Sequence, residues 1–261
     1  MNEKELAAYF YDLPIGDVRW YENTSSTNTR TLEWLRESPT EYSLVITDRQ
    51  TAGYGRNQRI WYSQSGDSLT FSFIVYPDHK EQERLPLFSA LSAVAVCNTV
   101  STYSPTAVVS MKWPNDVLLE KKKVSGILAE AAWEGNNLKG LVIGIGVNIN
   151  KSSLSPEKKM LFPATSLEET LGKRFDRWQV LHDILRNFQQ LRPLISSQEF
   201  IKIWQKKLAF LGEPVSISDT GKEIRSGIFL GVNEQGHLLL KEKSGRIVTF
   251  PLGDVSLRPQ E

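Results

Sequence analysis

The chain has 261 residues, 40% of them hydrophobic, with 31 Lys and Arg against 30 Asp and Glu and a formal net charge of +1. That length suits one large domain, or a medium domain with a small one, and the apolar fraction is ample for a packed core. The balanced charge excludes a general attraction to nucleic acid, the single cysteine Cys97 excludes an internal disulfide or a site with two thiolates, and no run approaches the roughly 18 apolar residues of a membrane-spanning helix.

Residues 1–10 carry acids and no long apolar core, so they do not read as a secretory signal, and a cytoplasmic location is expected. Residues 18–21 suit a short strand. Thr24-Ser25-Ser26-Thr27-Asn28 then offers several N-cap candidates for a helix over 29–37, where Leu32 and Leu35 form an apolar i, i+3 pair beside Trp34 and Pro39 ends the run. Residues 44–47 read as a buried strand. The polar stretch 50–66, with glycines at 53, 55 and 66, is long for a connection in a compact domain and points to a functional loop. Residues 69–76 are an aromatic and β-branched strand. Residues 85–103 have apolar positions at 85, 88, 91, 94 and 95, the spacing of a core-facing helix, and Cys97 inside it reads as a buried, inert thiol.

A strand over 108–111 leads into Lys112-Trp113-Pro114-Asn115-Asp116. Pro114 cannot donate to a sheet, so it belongs at a strand end, which leaves Asn115 and Asp116 at a bend open to a ligand. Residues 117–119 and 124–129 read as two short strands joined by the polar turn 120–123, and 138–150 as a further strand after the turn Gly135-Asn136-Asn137. Beyond Asn150 the texture changes. Residues 151–162 are loop-like, Thr165-Ser166-Leu167-Glu168-Glu169 caps and opens a short helix, and 178–191 and 199–208 are helices, with Pro193 stopping the first. From Glu213 onward, short alternating strands with turns at 219–222, 233–236 and 243–245 form a small all-β module.

Three stretches carry chemistry. Gln50-Thr51-Ala52-Gly53-Tyr54-Gly55-Arg56, continuing to Arg59 and Trp61, joins glycines that let backbone N–H groups approach an anion to two arginines suited to phosphate or carboxylate. It is neither a Walker loop nor a dinucleotide fingerprint, and a plain surface loop fits the residues too. The lysine-rich hairpin sets Lys123 ahead of Ser125-Gly126, where a lysine on a rigid strand can reach a phosphate or carbonyl as a point charge; Asp116 beside it suits a metal ion or a proton. A solvated hairpin is the alternative. Gly144-Ile145-Gly146-Val147-Asn148 leaves one sheet face bare for a ligand or for close helix packing. His79, His182 and His237 are scattered and read as structural or solvated; no metal site is predicted.

Together these motifs resemble the biotin protein ligases. The likeness rests on Ser26-Thr27-Asn28, on Gln50 to Arg56 with Arg59 and Trp61, on Lys112 to Asp116, on Lys123 with Ser125-Gly126-Ile127-Leu128, and on Gly144 to Asn148, in order and at fitting spacing. The resemblance implies an α/β fold of the α+β type. Residues 1–210 would form a catalytic domain on a mixed, mainly antiparallel sheet, and residues 211–261 an SH3-like C-terminal β-barrel. It implies that biotin and ATP with Mg2+ yield biotinyl-5′-AMP, and that biotin then passes to a lysine of the biotin carboxyl carrier protein of acetyl-CoA carboxylase.

By the same resemblance Lys123, Arg56, Lys112 and Asp116 are catalytic. Ser26, Thr27, Asn28, Gln50, Gly53, Tyr54, Gly55, Arg56, Lys123 and Gly126 bind biotin. Arg56, Arg59, Trp61, Asn115, Lys123, Gly146, Asn148 and Arg258 bind the nucleotide. Tyr54 and Gln58 depart from the family's usual Arg or Gln and Gly, which bears on how the loop closes. Some relatives carry a winged helix that binds DNA; the stretch before Ser26 is too short for one, so a monofunctional form without nucleic-acid binding or membrane attachment is expected. A homodimer through the catalytic sheet is a family tendency. A lipoate or octanoate ligase on the same scaffold, and a non-catalytic biotin sensor, are the alternatives.

Overall fold

The structure, a computed structural model, describes residues 3–154, 162–219, 225–251 and 255–259. The expected loop over 151–162 is thus described only at its two ends, and the expected turn at 219–222 lies outside the described residues from position 220. No helix among the described residues is long and apolar enough to cross a membrane.

Helix α1 (Glu3–Ala8) precedes strand β1 (Val18–Thr24), and Glu3 accepts a hydrogen bond from the Trp20 backbone N–H on that edge strand. Leu6 and Phe10 are fully buried in the main core. Helix α2 (Thr27–Leu35) crosses over to β2 (Leu44–Gln50), which lies parallel to β1. The other strands of this sheet pair antiparallel: β3 (Ser68–Val75), β4 (Val109–Lys112), β5 (Asp116–Leu119), β6 (Lys122–Glu134) and β7 (Asn137–Asn148). The seven strands run in the order β1-β2-β3-β7-β6-β5-β4, the mixed, mainly antiparallel sheet that was expected.

Period-two alternation separates the two faces of this sheet. Leu69, Phe71, Phe73, Ile143, Ile145 and Val147 join the main core, whereas Ile74 and Val142 form a second cluster with Leu35 of α2. The short α3 (His79–Gln82) is closed by an Asp78/Glu81 capping box. Helix α4 (Leu87–Tyr103) packs against the sheet and against α6 (Arg177–Leu191), and it is buried almost all round rather than along one stripe. Its apolar residues are spread around the helix, so it can be sandwiched between two partners. Its hydroxyls at Ser92 and Thr99 are satisfied by the carbonyls of Phe88 and Ala95.

Helix α5 (Leu167–Leu171) is capped by Ser166, as its sequence suggests, and α7 (Gln198–Gln205) follows α6. The remaining strands, β8 (Pro214–Asp219), β9 (Arg225–Val232), β10 (Leu238–Lys241), β11 (Ile247–Phe250) and β12 (Val255–Pro259), form an antiparallel sheet in the order β11-β10-β9-β8-β12. This is the small all-β unit expected after Glu213. Trp113, fully buried, ties it to the larger sheet by donating its indole N–H to the Gly236 carbonyl at 3.2 Å.

Candidate active site

The face of the large sheet that carries α2 is left open at one end, and a cleft lies there with an empty volume of about 870 Å³, its mouth included. Register creates it. Gly126 of β6 stands opposite Gly146 of β7, and Leu128 opposite Gly144, so small residues sit side by side on the exposed face. The space above them is taken by side chains from other elements. A Cβ at Gly144 would overlap Asn28 Oδ1, one at Gly146 would overlap the Trp61 indole, and one at Gly126 would lie 3.1 Å from Lys123 Nζ.

One wall comes from the start of α2. Ser26 holds the N-cap position but makes no capping bond; Gln50 Oε1 accepts from the Thr27 backbone N–H at 2.7 Å instead. A side chain from the end of β2 therefore caps the helix, and the Thr27 hydroxyl lies 3.2 Å from the same oxygen. Behind them Ser72 Oγ is 2.7 Å from Thr27 Oγ1 and 2.6 Å from Asn28 Oδ1.

The roof is the loop from Gly53 to Trp61. It folds back on itself through a Tyr54–Ile60 bridge, the Gly55 N–H donating to the Arg59 carbonyl at 2.7 Å, and a 3-10 turn over Arg56–Gln58. Asn57 and Gln58 both have φ of +55°, a left-handed backbone that glycine accepts more readily than glutamine. Trp61 lies over the glycine floor, and its indole N–H is buried without a partner among the described residues.

The opposite wall is charged. Asp116 lies 2.5 Å from Lys123 Nζ through one carboxylate oxygen and 3.3 Å from Lys112 Nζ through the other. Burial alone would raise the Asp116 carboxyl, but Lys123 and Lys112 together hold it down at about 2. Lys112, only 8% exposed, is pushed below the usual lysine range by burial and by the nearby Lys123 and Arg59 charges, against the pull of Asp116. Lys123 reaches this place because the β5–β6 turn has only two residues, Glu120 and Lys121, both with positive φ. The polar run 120–123 is thus half turn and half strand. Asn115 is strapped to β6 in both directions: its side chain donates to the Ile127 carbonyl at 2.6 Å and its carbonyl accepts from the Ile127 N–H at 3.0 Å. Its Oδ1 lies 3.4 Å from Arg56 Nη1.

The cleft therefore gathers Ser26, Thr27, Asn28, Gln50, Tyr54, Gly55, Arg56, Arg59, Trp61, Lys112, Asn115, Asp116, Lys123, Gly126 and Gly146. Three expected residues lie elsewhere. Gly53 is buried behind the loop, where its carbonyl accepts from the Trp61 N–H and a Cβ would sit 2.6 Å from Gln50 Nε2. Asn148 is buried and donates to the Thr165 carbonyl at 3.0 Å. Arg258 is exposed on β12, paired with Ser216 in the small sheet. Sequence reasoning passed over Thr70, Leu128 and Ile145, which line the cleft, and Ser72 and Glu130, which bond to its residues. A signal for them existed: Ser68, Thr70 and Ser72 alternate with Leu69, Phe71 and Phe73, and Gly126, Leu128 and Glu130 share one face of β6.

A resident metal does not fit this site. Both Asp116 oxygens face ammonium groups, and no cluster of three potential ligands occurs among the described residues. The arrangement suits anions instead, with four cationic side chains, Arg56, Arg59, Lys112 and Lys123, lining the cleft.

Residues 20–148 match the sequence model of the biotin/lipoate A/B protein ligase family, and residues 210–258 that of the biotin protein ligase C-terminal domain. The bifunctional ligase/repressor BirA of Bacillus spizizenii is 33% identical over 249 residues, covering 94% of this chain and 76% of that protein. The biotin–acetyl-CoA-carboxylase ligase of Paracoccus denitrificans is 30% identical over 240 residues, covering 89% of this chain and 97% of that one. The biotin protein ligase from Aquifex aeolicus in complex with biotin and ATP superposes with a TM-score of 0.78 at 31% identity, over 93% of this chain and 99% of that chain. The chain belongs to the biotin protein ligase family.

Proposed function

We propose that the protein is an ATP-dependent ligase that adenylates biotin and transfers it to a lysine of the biotin carboxyl carrier protein of acetyl-CoA carboxylase. The observation that carries this reading is the Lys112–Asp116–Lys123 cluster set beside a neutral polar pocket on a glycine floor. Both half-reactions bring anions together. In the first, a biotin carboxylate oxygen bonds to the α-phosphorus of ATP and pyrophosphate leaves. In the second, the carrier's amine bonds to the biotinyl carbonyl, AMP leaves, and the ammonium so formed sheds its proton. Fixed cations that need no reorganisation lower the barrier to both.

Lys123 and Arg56 are assigned to the carboxylate and α-phosphate oxygens, with Lys112 and Asp116 supporting them. Asp116, held ionised by its two lysines, fixes the Lys123 ammonium in place. Ser26, Thr27, Asn28 and Gln50 supply donors and acceptors for the ureido ring, and Arg59, Trp61 and Gly146 lie on the nucleotide side. The orphaned Trp61 N–H is a donor awaiting an acceptor. Magnesium enters with the ATP phosphates, since the described residues offer no cage of their own.

The domain limits at 1–210 and 211–261 belong to the same reading, supported by the two separate sheets and by the C-terminal match over 210–258. So does a homodimer through the large sheet: β6 runs past β5, so among the described residues its far half pairs with β7 alone. Sedimentation with and without biotin and ATP tests the dimer.

Biotin-dependent exchange of labelled pyrophosphate into ATP tests the chemistry. Exchange that requires biotin, ignores lipoate and octanoate, and falls at least about a hundredfold in Lys123→Ala is expected. Exchange driven by lipoate, or none despite biotin binding, would replace this reading with one of its alternatives.

A further inference from the structure

Glu130 belongs to none of the motifs, yet it sits on the cleft face of β6, in line with Gly126 and Leu128. Its Oε2 accepts hydrogen bonds from two sides: Asn28 Nδ2 at 2.7 Å and the Tyr54 hydroxyl at 3.2 Å. Asn28 belongs to the α2 wall and Tyr54 to the roof, so one carboxylate oxygen joins two sides of the pocket.

Resting on the ligase reading above, we propose that Glu130 is a positioning residue of this site: it orients the Asn28 amide and, through Tyr54, latches the loop over the bound adenylate. The first role follows from donor and acceptor chemistry. An ionised carboxylate only accepts. Asn28 must therefore turn its NH2 toward Glu130 and its oxygen toward Ser72, whose Oγ lies 2.6 Å away. Ser72 has a single proton. Thr27 Oγ1, 2.7 Å from Ser72 Oγ, offers that proton a second acceptor, because the Thr27 hydroxyl itself donates to Gln50 Oε1 at 3.2 Å. Ser72 and Asn28 thus form a row with one direction, ending on Glu130. A ligand head group bearing both N–H and C=O meets a pocket of set polarity rather than one that can flip.

The second role follows from the loop's other ties. The Tyr54–Ile60 bridge and the Gly55–Arg59 bond are internal to the loop and cannot hold it to the sheet. Arg56 reaches the opposite wall at Asn115, at a long 3.4 Å. Tyr54 to Glu130 anchors the end nearest Asn28. Burial, more than the Glu130 charge, pushes the Tyr54 phenol above its ordinary value, so it remains a donor at neutral pH.

The test uses the full chain loaded with radiolabelled biotin and ATP, freed of excess label, and followed for escape of the retained adenylate. Tyr54→Phe should speed escape about five- to tenfold, the effect of one lost hydrogen bond. Glu130→Ala should speed it at least as much, and should also raise the KM for biotin while leaving that for ATP within about twofold, since it loses both contacts. The double variant should fall well short of the product of the two single effects, because both changes break the same Tyr54–Glu130 bond, while the Tyr54 hydroxyl keeps its contacts to Thr29 and Ser26 in Glu130→Ala. Unchanged escape in Tyr54→Phe, or effects that multiply in the double variant, would overturn the latch. If Glu130→Ala does not fold, Tyr54→Phe decides alone. A wild-type chain that retains no more label with ATP than without would overturn the ligase reading itself, and the proposal with it.

Discussion

The Lys123 ammonium and the Asp116 carboxylate stand 2.5 Å apart at the junction of β5 and β6, and Asp116 turns its second oxygen toward Lys112 at 3.3 Å. One buried carboxylate thus anchors two cations, leaving an excess of positive charge beside the cleft. The cluster concentrates cationic charge where anionic reactants would meet.

The pH dependence of folding should report this cluster. Asp116 is held at about 2 against an ordinary 3.8, so its folded value is depressed. A depressed carboxyl contributes stability that is complete above its unfolded value and lost as pH falls through its folded one, here between about pH 4 and pH 2, and worth roughly 2 kcal/mol. Asp116→Asn should therefore be less stable than wild type at pH 7, and the gap should narrow on acidification across that window. Urea titrations at pH 7, 4 and 2.5 would show it; a gap that stays constant with pH would refute the assignment.

The two floor glycines should separate the substrates. Alanine at Gly144 meets Asn28, whereas alanine at Gly146 meets Trp61. Gly144→Ala should raise the KM for biotin about tenfold or more while changing that for ATP less, and Gly146→Ala should do the reverse. Steady-state pyrophosphate exchange at varied biotin and varied ATP measures both. Equal effects on the two substrates from each variant would mean the floor is not divided in this way.

Loop closure should be visible to a protease. Arg59 is exposed on a loop held mainly by its own bonds. Trypsin should cut after Arg59 in the free protein, and biotin with ATP should slow that cut about tenfold or more by stabilising the closed form. Mass spectrometry of the early fragments gives the site and rate. Equal cutting with and without ligands counts against closure.

Cys97 should be silent. It is fully buried inside α4, and burial pushes its thiol up to about 12. Iodoacetamide at pH 8 should leave the native protein unlabelled and fully active, with labelling only after denaturation. Rapid labelling of native protein would place the thiol on the surface instead.

The sequence by itself located the strands of the large sheet and the helices other than α1 and α3, because periodicity, turn residues and caps are local properties. Residues 69–76 alternate, Pro39 and Pro193 stop helices, and Ser166 caps α5. It also located most of the cleft, since Lys112-Trp113-Pro114-Asn115-Asp116 and Lys123 with Ser125-Gly126 lie close along one hairpin. Tertiary structure decided what distant stretches do to one another. The order β3-β7-β6 sets Gly126 opposite Gly146, and Asn28 meets Glu130 across 102 positions of chain. Gln50 caps α2 in place of Ser26, α4 is enclosed on all sides, and Asn148 turns to Thr165 instead of the cleft. Local patterns follow from steric and hydrogen-bonding rules that act over a few residues; which side chains share a pocket depends on strand order and register, which only the packing of the whole core selects.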